Sequence, residues 1–247
     1  MKTPKAIIFD YHNTILHETS FTPSYGTHYL FSCAKNNNGI TYEEFIKRIR
    51  GQNSDLFQRR DSSYLEYPFI HSFRLLFEYF QLELPYSFQE AERKFWELSE
   101  HLQPAHSVSE MLEYLNTKNI TAGIVSNSTF SGELLEAELE KYGLRKYFKF
   151  LIASADYGIR KPHPFIFELA ISKMGSPVED IWSIGDNIEC DIKGSQNVGM
   201  TAFHYIGKSK KRELTEEQTI KSWEDFIKSI QNTHTKNTVN LNVNATS

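Results

Sequence analysis

Ala6-Ile7-Ile8-Phe9-Asp10-Tyr11-His12-Asn13-Thr14 is the stretch that decides the fold. The uninterrupted apolar residues from Ala6 to Phe9 read as a strand buried on both faces, as in a parallel sheet. The strand ends at a carboxylate. Loops beyond the C-terminal ends of such strands hold the chemistry of α/β sheets. Asp10, with turn-prone Asn13 and hydroxyl-bearing Thr14 behind it, therefore reads as a nucleophile or a metal ligand.

Outward from this strand the chain changes character twice. From about Glu18 to about Gln103, the segments TYEEFIKRIR, PFIHSFRLLFEYF and SFQEAERKFWELSE place apolar residues at helical spacing, and Pro23, Pro68, Pro85 and Pro104 mark helix starts or boundaries. From Pro104 onward helices and strands alternate. Helices through Ser109–Lys118, Gly132–Tyr142, Pro164–Met174 and Ile192–Val198 lead to strands at Ile120–Val125, Phe150–Ala153, Asp180–Ile184 and Thr201–Tyr205, and a helix through Ser222–Ile230 closes the unit. Such alternation implies right-handed crossovers and an α/β fold, a Rossmann-like parallel sheet with helices on both faces. The expected organisation is a core of residues 1–17 and 104–231 with a small helical insertion over 18–103. The Asn- and Thr-rich tail, 232–247, has little to bury and is expected to be disordered.

Composition narrows the classes of partner. At 247 residues, with 40% hydrophobic and 23% charged residues, the chain is an ordinary globular protein able to bury a sizeable core. Its formal net charge of −4 offers no basic field to a nucleic acid. The basic run Lys208–Arg212 is followed by Glu213, Glu216 and Glu217 and reads as a solvated loop. Cys33 and Cys190 lack metal or disulfide spacing, which fits a reducing compartment. The apolar run near the N-terminus is too short for a signal peptide, and no stretch approaches a membrane span, so a cytoplasmic protein is expected. Nothing in the sequence sets an oligomeric state.

Four places just beyond strand ends complement one another. They are Asp10; Ser126, followed by Asn127 and Ser128; Lys161, in Gly158-Ile159-Arg160-Lys161-Pro162-His163-Pro164; and Asp186 and Asp191, in Gly185-Asp186-Asn187-Ile188-Glu189-Cys190-Asp191. Each suits a phosphoryl group. A hard cation such as Mg²⁺ takes oxygen ligands, which Asp10 and Asp186 offer, with Asp191 as a further ligand or a supporting partner. Ser126 offers a hydroxyl and nearby backbone N–H groups, and Lys161 a mobile positive charge. Asn127 and Arg160 read equally as substrate contacts or as solvated loop positions. Taken singly, Ser126 is a cap or turn residue, Lys161 a loop lysine, and Asp186 and Asp191 helix N-caps; only their company points to chemistry.

Written as FDYHNT, IVSNS, RKPHP and GDNIECD, these segments resemble, in order, the four signature motifs of the haloacid dehalogenase-like hydrolases. The resemblance covers about Lys5 to Tyr205, and the insertion between the first and second motifs is similar to that of members with an α-helical cap. It implies a Mg²⁺-dependent phosphatase acting on a small phosphorylated metabolite. Asp10 would be the nucleophile that forms an aspartyl-phosphate, and Ser126 and Lys161 would hold the transferring group. Magnesium would be held by Asp10, the main-chain carbonyl of His12 and Asp186, with Asp191 assisting. One position departs from the pattern. Phosphatases of the family usually carry aspartate where this chain has His12, dehalogenases tyrosine and phosphonate-cleaving members alanine, and Asn13 replaces the usual glycine. An imidazole titrating near neutrality can act as acid/base, so His12 reads either as that group or as the mark of an impaired site. The alternatives are a dehalogenase-type hydrolase acting at carbon, and a catalytically impaired protein that binds phosphate or metal.

Overall fold

The apolar run that opens the chain forms β1 (Ala6–Phe9), buried throughout. The computed structural model describes residues 3–207 and 214–231. The tail 232–247 and the basic run Lys208–Arg212 lie outside the described residues. After β1 come β2 (Leu16–Phe21), α1 (Pro23–Cys33), β3 (Lys35–Asn36), α2 (Tyr42–Ser63), α3 (Phe69–Tyr79), β4 (Leu82–Glu83), α4 (Phe88–Ser99) and β5 (Glu100–Pro104). The chain then alternates through α5 (Val108–Thr117), β6 (Thr121–Ser126), α6 (Gly132–Lys141), β7 (Phe148–Ala153), α7 (Ser154–Tyr157), α8 (Pro164–Met174) and β8 (Ile181–Gly185). A π-helical stretch at Ile188–Lys193 runs into α9 (Gly194–Gln196), followed by β9 (Thr201–Tyr205), β10 (Thr219–Ile220) and a last helix, α10 (223–231).

Six strands form one parallel sheet in the order β10-β9-β8-β1-β6-β7. β1 lies between β8 and β6, with Ile8 opposite both Ser183 and Gly123. Its side chains alternate between faces, as strand geometry requires. Ile7 and Phe9 join a large cluster with α5, α6 and Trp223 of α10, whereas Ala6 and Ile8 pack with Ile166, Phe167, Ala170 and Met174 of α8. The sheet is therefore covered on both faces, as the sequence pattern implies. Among the described residues no helix is long and apolar enough to cross a membrane.

The helices between β2 and β5 form where local signals place them. Thr41 and Glu44 make a capping box at the start of α2, Ser87 caps α4 through Glu90 N, and Pro164 begins α8. The sequence pattern does not reveal the antiparallel pairing of β2 with β5, which runs from Leu16 opposite Pro104 to Phe21 opposite Glu100. β2 is polar and largely exposed beyond Leu16, so it carries no apolar alternation, and its partner lies some 80 residues away. The helix expected at Ile192–Val198 begins earlier, as the π-helical stretch. Ile192 N donates to Asn187 O, five residues back, at 3.3 Å, and the Asn187 side chain accepts from Cys190 N at 2.9 Å.

Candidate active site

Asp10 leaves the central strand of the sheet, and its N–H continues the ladder by donating to Ile184 O at 2.8 Å. Directly behind it the chain folds into a tight turn. Ile15 N and Leu16 N both donate to Tyr11 O at 3.0 Å, and Asn13 adopts a left-handed conformation with φ of 57°. Asparagine tolerates that region better than most residues with a Cβ. Tyr11 is fully buried and donates its hydroxyl to Leu135 O at 3.1 Å. The His12 ring sits edge-on to Tyr11, with centroids 4.9 Å apart, and 6.4 Å from the ring of Trp96 on α4. Burial, with the nearby Lys161 charge adding to it, pushes the His12 imidazole down to about 4.

Lys161 reaches into the same corner from the segment before α8. Its Nζ donates to Asp10 Oδ1 at 2.7 Å, to Asp191 Oδ1 at 2.6 Å and to Val125 O at 2.8 Å. All three ammonium protons are thus placed. The side chain is only 3% exposed. Burial works against its charge, but Asp10 and Asp191 outweigh that and hold its pKa above the ordinary lysine value. Asn127 fixes the main chain here, accepting from Lys161 N at 2.8 Å and donating to Lys161 O at 2.9 Å. Through these two bonds Asn127 holds the Lys161 backbone against the strand end that carries Ser126.

Asp191 is brought in by the π-helical stretch. Its Oδ2 accepts from Asn187 N at 2.9 Å while Oδ1 takes Lys161, so both oxygens are engaged. A side chain at Gly185 would collide with the Asp191 carboxylate; glycine here permits the close approach. Desolvation, and then the Asp10 charge, raises the Asp191 pKa against the pull of Lys161. Asp186 stands at the rim. Desolvation together with Asp10 and Asp191 pushes its carboxyl up to about 7. Ser126, at the end of β6, is fully buried, and its Oγ has no hydrogen-bond partner; the same holds for Thr14 Oγ1. A buried hydroxyl without a partner calls for an explanation, and an oxyanion placed at this strand end would supply one.

Asp10, Asp186 and Asp191 offer ligand atoms within 4.8 Å of one another. Three carboxylates face one lysine ammonium, so the corner carries uncompensated negative charge, which adds to desolvation in raising the Asp186 pKa. A divalent cation of the Mg²⁺ type suits that imbalance and the all-oxygen donor set. Asp10 and Asp186 have carboxylate oxygens not committed to Lys161, whereas both oxygens of Asp191 accept hydrogen bonds. Sequence reasoning singled out Asp10, Lys161, Asp186 and Asp191, and the fold assembles them. It passed over Trp96 and Glu66, which reach the site's loops from the helical insertion and carry no local signature.

Residues 7–205 match the profile of a family described as haloacid dehalogenase-like hydrolase. Among curated proteins, the chain is 39% identical over 83 residues to the pyrimidine 5′-nucleotidase YjjG of Escherichia coli, covering 33% of this chain and 36% of that one. It is 25% identical over 130 residues to a glyceraldehyde 3-phosphate phosphatase of Methanocaldococcus jannaschii, covering 51% and 56% respectively. The matches thus span about a third to just over half of these relatives' lengths. Among solved structures, a HAD phosphatase from Thermococcus onnurineus aligns with a TM-score of 0.62 at 23% identity over 92% of this chain and 97% of its own. A 2-haloacid dehalogenase from Pseudomonas syringae gives 0.63 at 20% identity over 93% and 98%. At those identities the solved structures speak to the fold alone.

Proposed function

The chain belongs to the haloacid dehalogenase-like hydrolases, and from that premise we propose that it is a Mg²⁺-dependent phosphatase acting on a small phosphorylated metabolite. The observation that carries this reading is the buried Lys161 ammonium, 2.7 Å from Asp10 and 2.6 Å from Asp191, beside the rim carboxylate of Asp186. Curated relatives that are phosphatases support the same reaction type. The helical insertion, residues 18–103, is the cap.

Lys161 fixes one oxygen of Asp10 and leaves the other to bond to phosphorus as the ester bond to the leaving oxygen breaks. The same ammonium balances charge on the transferring group, and Ser126 Oγ donates to one of its oxygens. His12 is the acid/base. The negative charge of the bound phosphoester opposes the effect of burial and Lys161 on the ring. The protonated ring gives its proton to the leaving oxygen as the ester bond breaks, and the neutral ring then takes the proton of the water that releases phosphate from Asp10. Mg²⁺, held by Asp10, Asp186 and the His12 carbonyl with Asp191 behind them, supplies neutralisation of phosphoryl charge when bound.

The test is phosphate release from p-nitrophenyl phosphate and a panel of phosphorylated metabolites, with and without Mg²⁺, using wild type, Asp10→Asn and His12→Asp. Turnover that needs Mg²⁺ and disappears in Asp10→Asn is the expected result. Removing the acid/base with His12→Ala should lower kcat by about 10²–10⁴-fold. Silence of both wild type and His12→Asp would overturn the phosphatase reading. Halide release from a 2-haloacid under EDTA would instead favour hydrolysis at carbon.

A further inference from the structure

Glu66 lies between α2 and α3, and its side chain is only 1% exposed. The backbone of this stretch docks on the segment that leads to Lys161. Glu66 N donates to Gly158 O and Arg160 N to Tyr64 O, each at 3.0 Å, and Leu65 bridges antiparallel to Ile159. A little further on, Phe69 N donates to Thr129 O at 2.7 Å, so the stretch also meets the loop that follows Ser126. The carboxylate joins the two contacts. Its Oε2 accepts from Ser154 Oγ at 2.7 Å, and that hydroxyl accepts from Ser128 N at 2.9 Å. The same Oε2 stands 3.7 Å from Nη1 of Arg160, the neighbour of Lys161, and Oε1 accepts from Tyr67 N at 3.2 Å.

We infer that Glu66 is a positioning residue for the two phosphate-binding loops, through which the helical insertion sets where Ser126 and Lys161 stand. The functional consequence rests on the phosphatase reading; the positioning itself does not. A carboxylate excluded from water is costly unless it is paired and hydrogen-bonded, so Ser154, Tyr67 N and Arg160 are drawn to one point. The reciprocal bonds between Asn127 and Lys161 tie the same loops together at the site itself. Glu66 ties them from behind, and it comes from outside the segments that carry the site. Docking of the insertion and the geometry of phosphate binding thereby become one event.

Glu66→Ala and Glu66→Gln in the full chain test this through three readouts. These are amide hydrogen exchange, inorganic phosphate binding by calorimetry in the presence of Mg²⁺, and kcat and KM for acetyl phosphate. Glu66→Ala is expected to speed exchange in residues 126–131 and 158–161 selectively and to weaken phosphate binding by about 10- to 100-fold, the scale on which small displacements act. Glu66→Gln keeps an acceptor for Ser154 but loses the charge facing Arg160. It should loosen 158–161 alone and raise KM more than it lowers kcat. If Glu66→Ala does not fold, the glutamine variant carries the test. Exchange unchanged in both segments, or a lowered melting temperature with phosphate affinity unchanged, overturns the inference. A wild type that neither binds nor releases phosphate would sink the phosphatase reading, while the exchange data still decide the role of Glu66.

Discussion

Lys161 meets Asp10 and Asp191 at once from a site almost without solvent. Removing one partner of a buried ion pair leaves an uncompensated charge, at a cost of roughly 3–5 kcal/mol. Lys161→Met should lose stability on that scale in urea unfolding at neutral pH. The loss should shrink on acidification, because Asp191, whose pKa burial already raises and which would lose the opposing pull of Lys161, would then take up a proton in the folded state. A deficit that does not change with pH would mean that packing, not charge, explains it. Gly185 makes a sterically different point. Its backbone is open to any residue, but a methyl group there meets the Asp191 carboxylate. Gly185→Ala should therefore cost about 1–3 kcal/mol and depress phosphate release well beyond what the stability loss explains. Wild-type turnover in this variant would show that Asp191 can move without consequence.

At the scale of elements, the β2–β5 ribbon carries its own titration. Glu100 on β5 is buried, its Oε1 has no hydrogen-bond partner, and burial followed by the charges of Glu18 and Glu138 pushes its carboxyl from an ordinary 4.5 up to about 8. The unfolded chain releases this proton first. Stability from Glu100 is therefore full below about 4.5 and is lost as pH rises through about 8. Glu100→Gln, an uncharged near-isostere, should flatten the pH dependence of the melting temperature across that window; an unchanged slope would assign it to other groups. The ribbon also marks where sequence reading stops. β1, the alternation after Pro104 and the long insertion helices announce themselves, since each is set by the spacing of apolar residues within one window and by local caps such as Thr41 and Ser87. Asp10, Ser126, Lys161, Asp186 and Asp191 are legible because each follows such a strand or a recognisable turn. β2, the edge strand β10, the pairing of Asn127 with the Lys161 backbone and the reach of Glu66 to Ser154 all depend on partners distant in sequence. A polar residue does not state locally which far segment will take up its hydrogen bonds.

For the whole molecule, the imbalance of three carboxylates against one ammonium predicts a global response to cation. A ligand that binds only the folded chain stabilises it by about 2.7 kcal/mol at a hundredfold excess over its dissociation constant. Mg²⁺ should accordingly raise the melting temperature of wild type and leave Asp186→Asn nearly unmoved. An equal response in both would place the cation elsewhere. The ribbon bears on a different question, that of modularity. The chain enters and leaves the insertion through facing residues, Phe21 opposite Glu100, so on topological grounds 22–99 could be excised and the ends closed by a two-residue hairpin turn. The apolar core does not divide at the same line. Phe130 of the sheet unit packs against Phe69, Phe95 and Trp96, and a single cluster runs from Phe9 through Phe95 to Phe45. A graft at this junction is thus easy to splice and hard to seal, and any foreign insert must bring a matching apolar underside of its own.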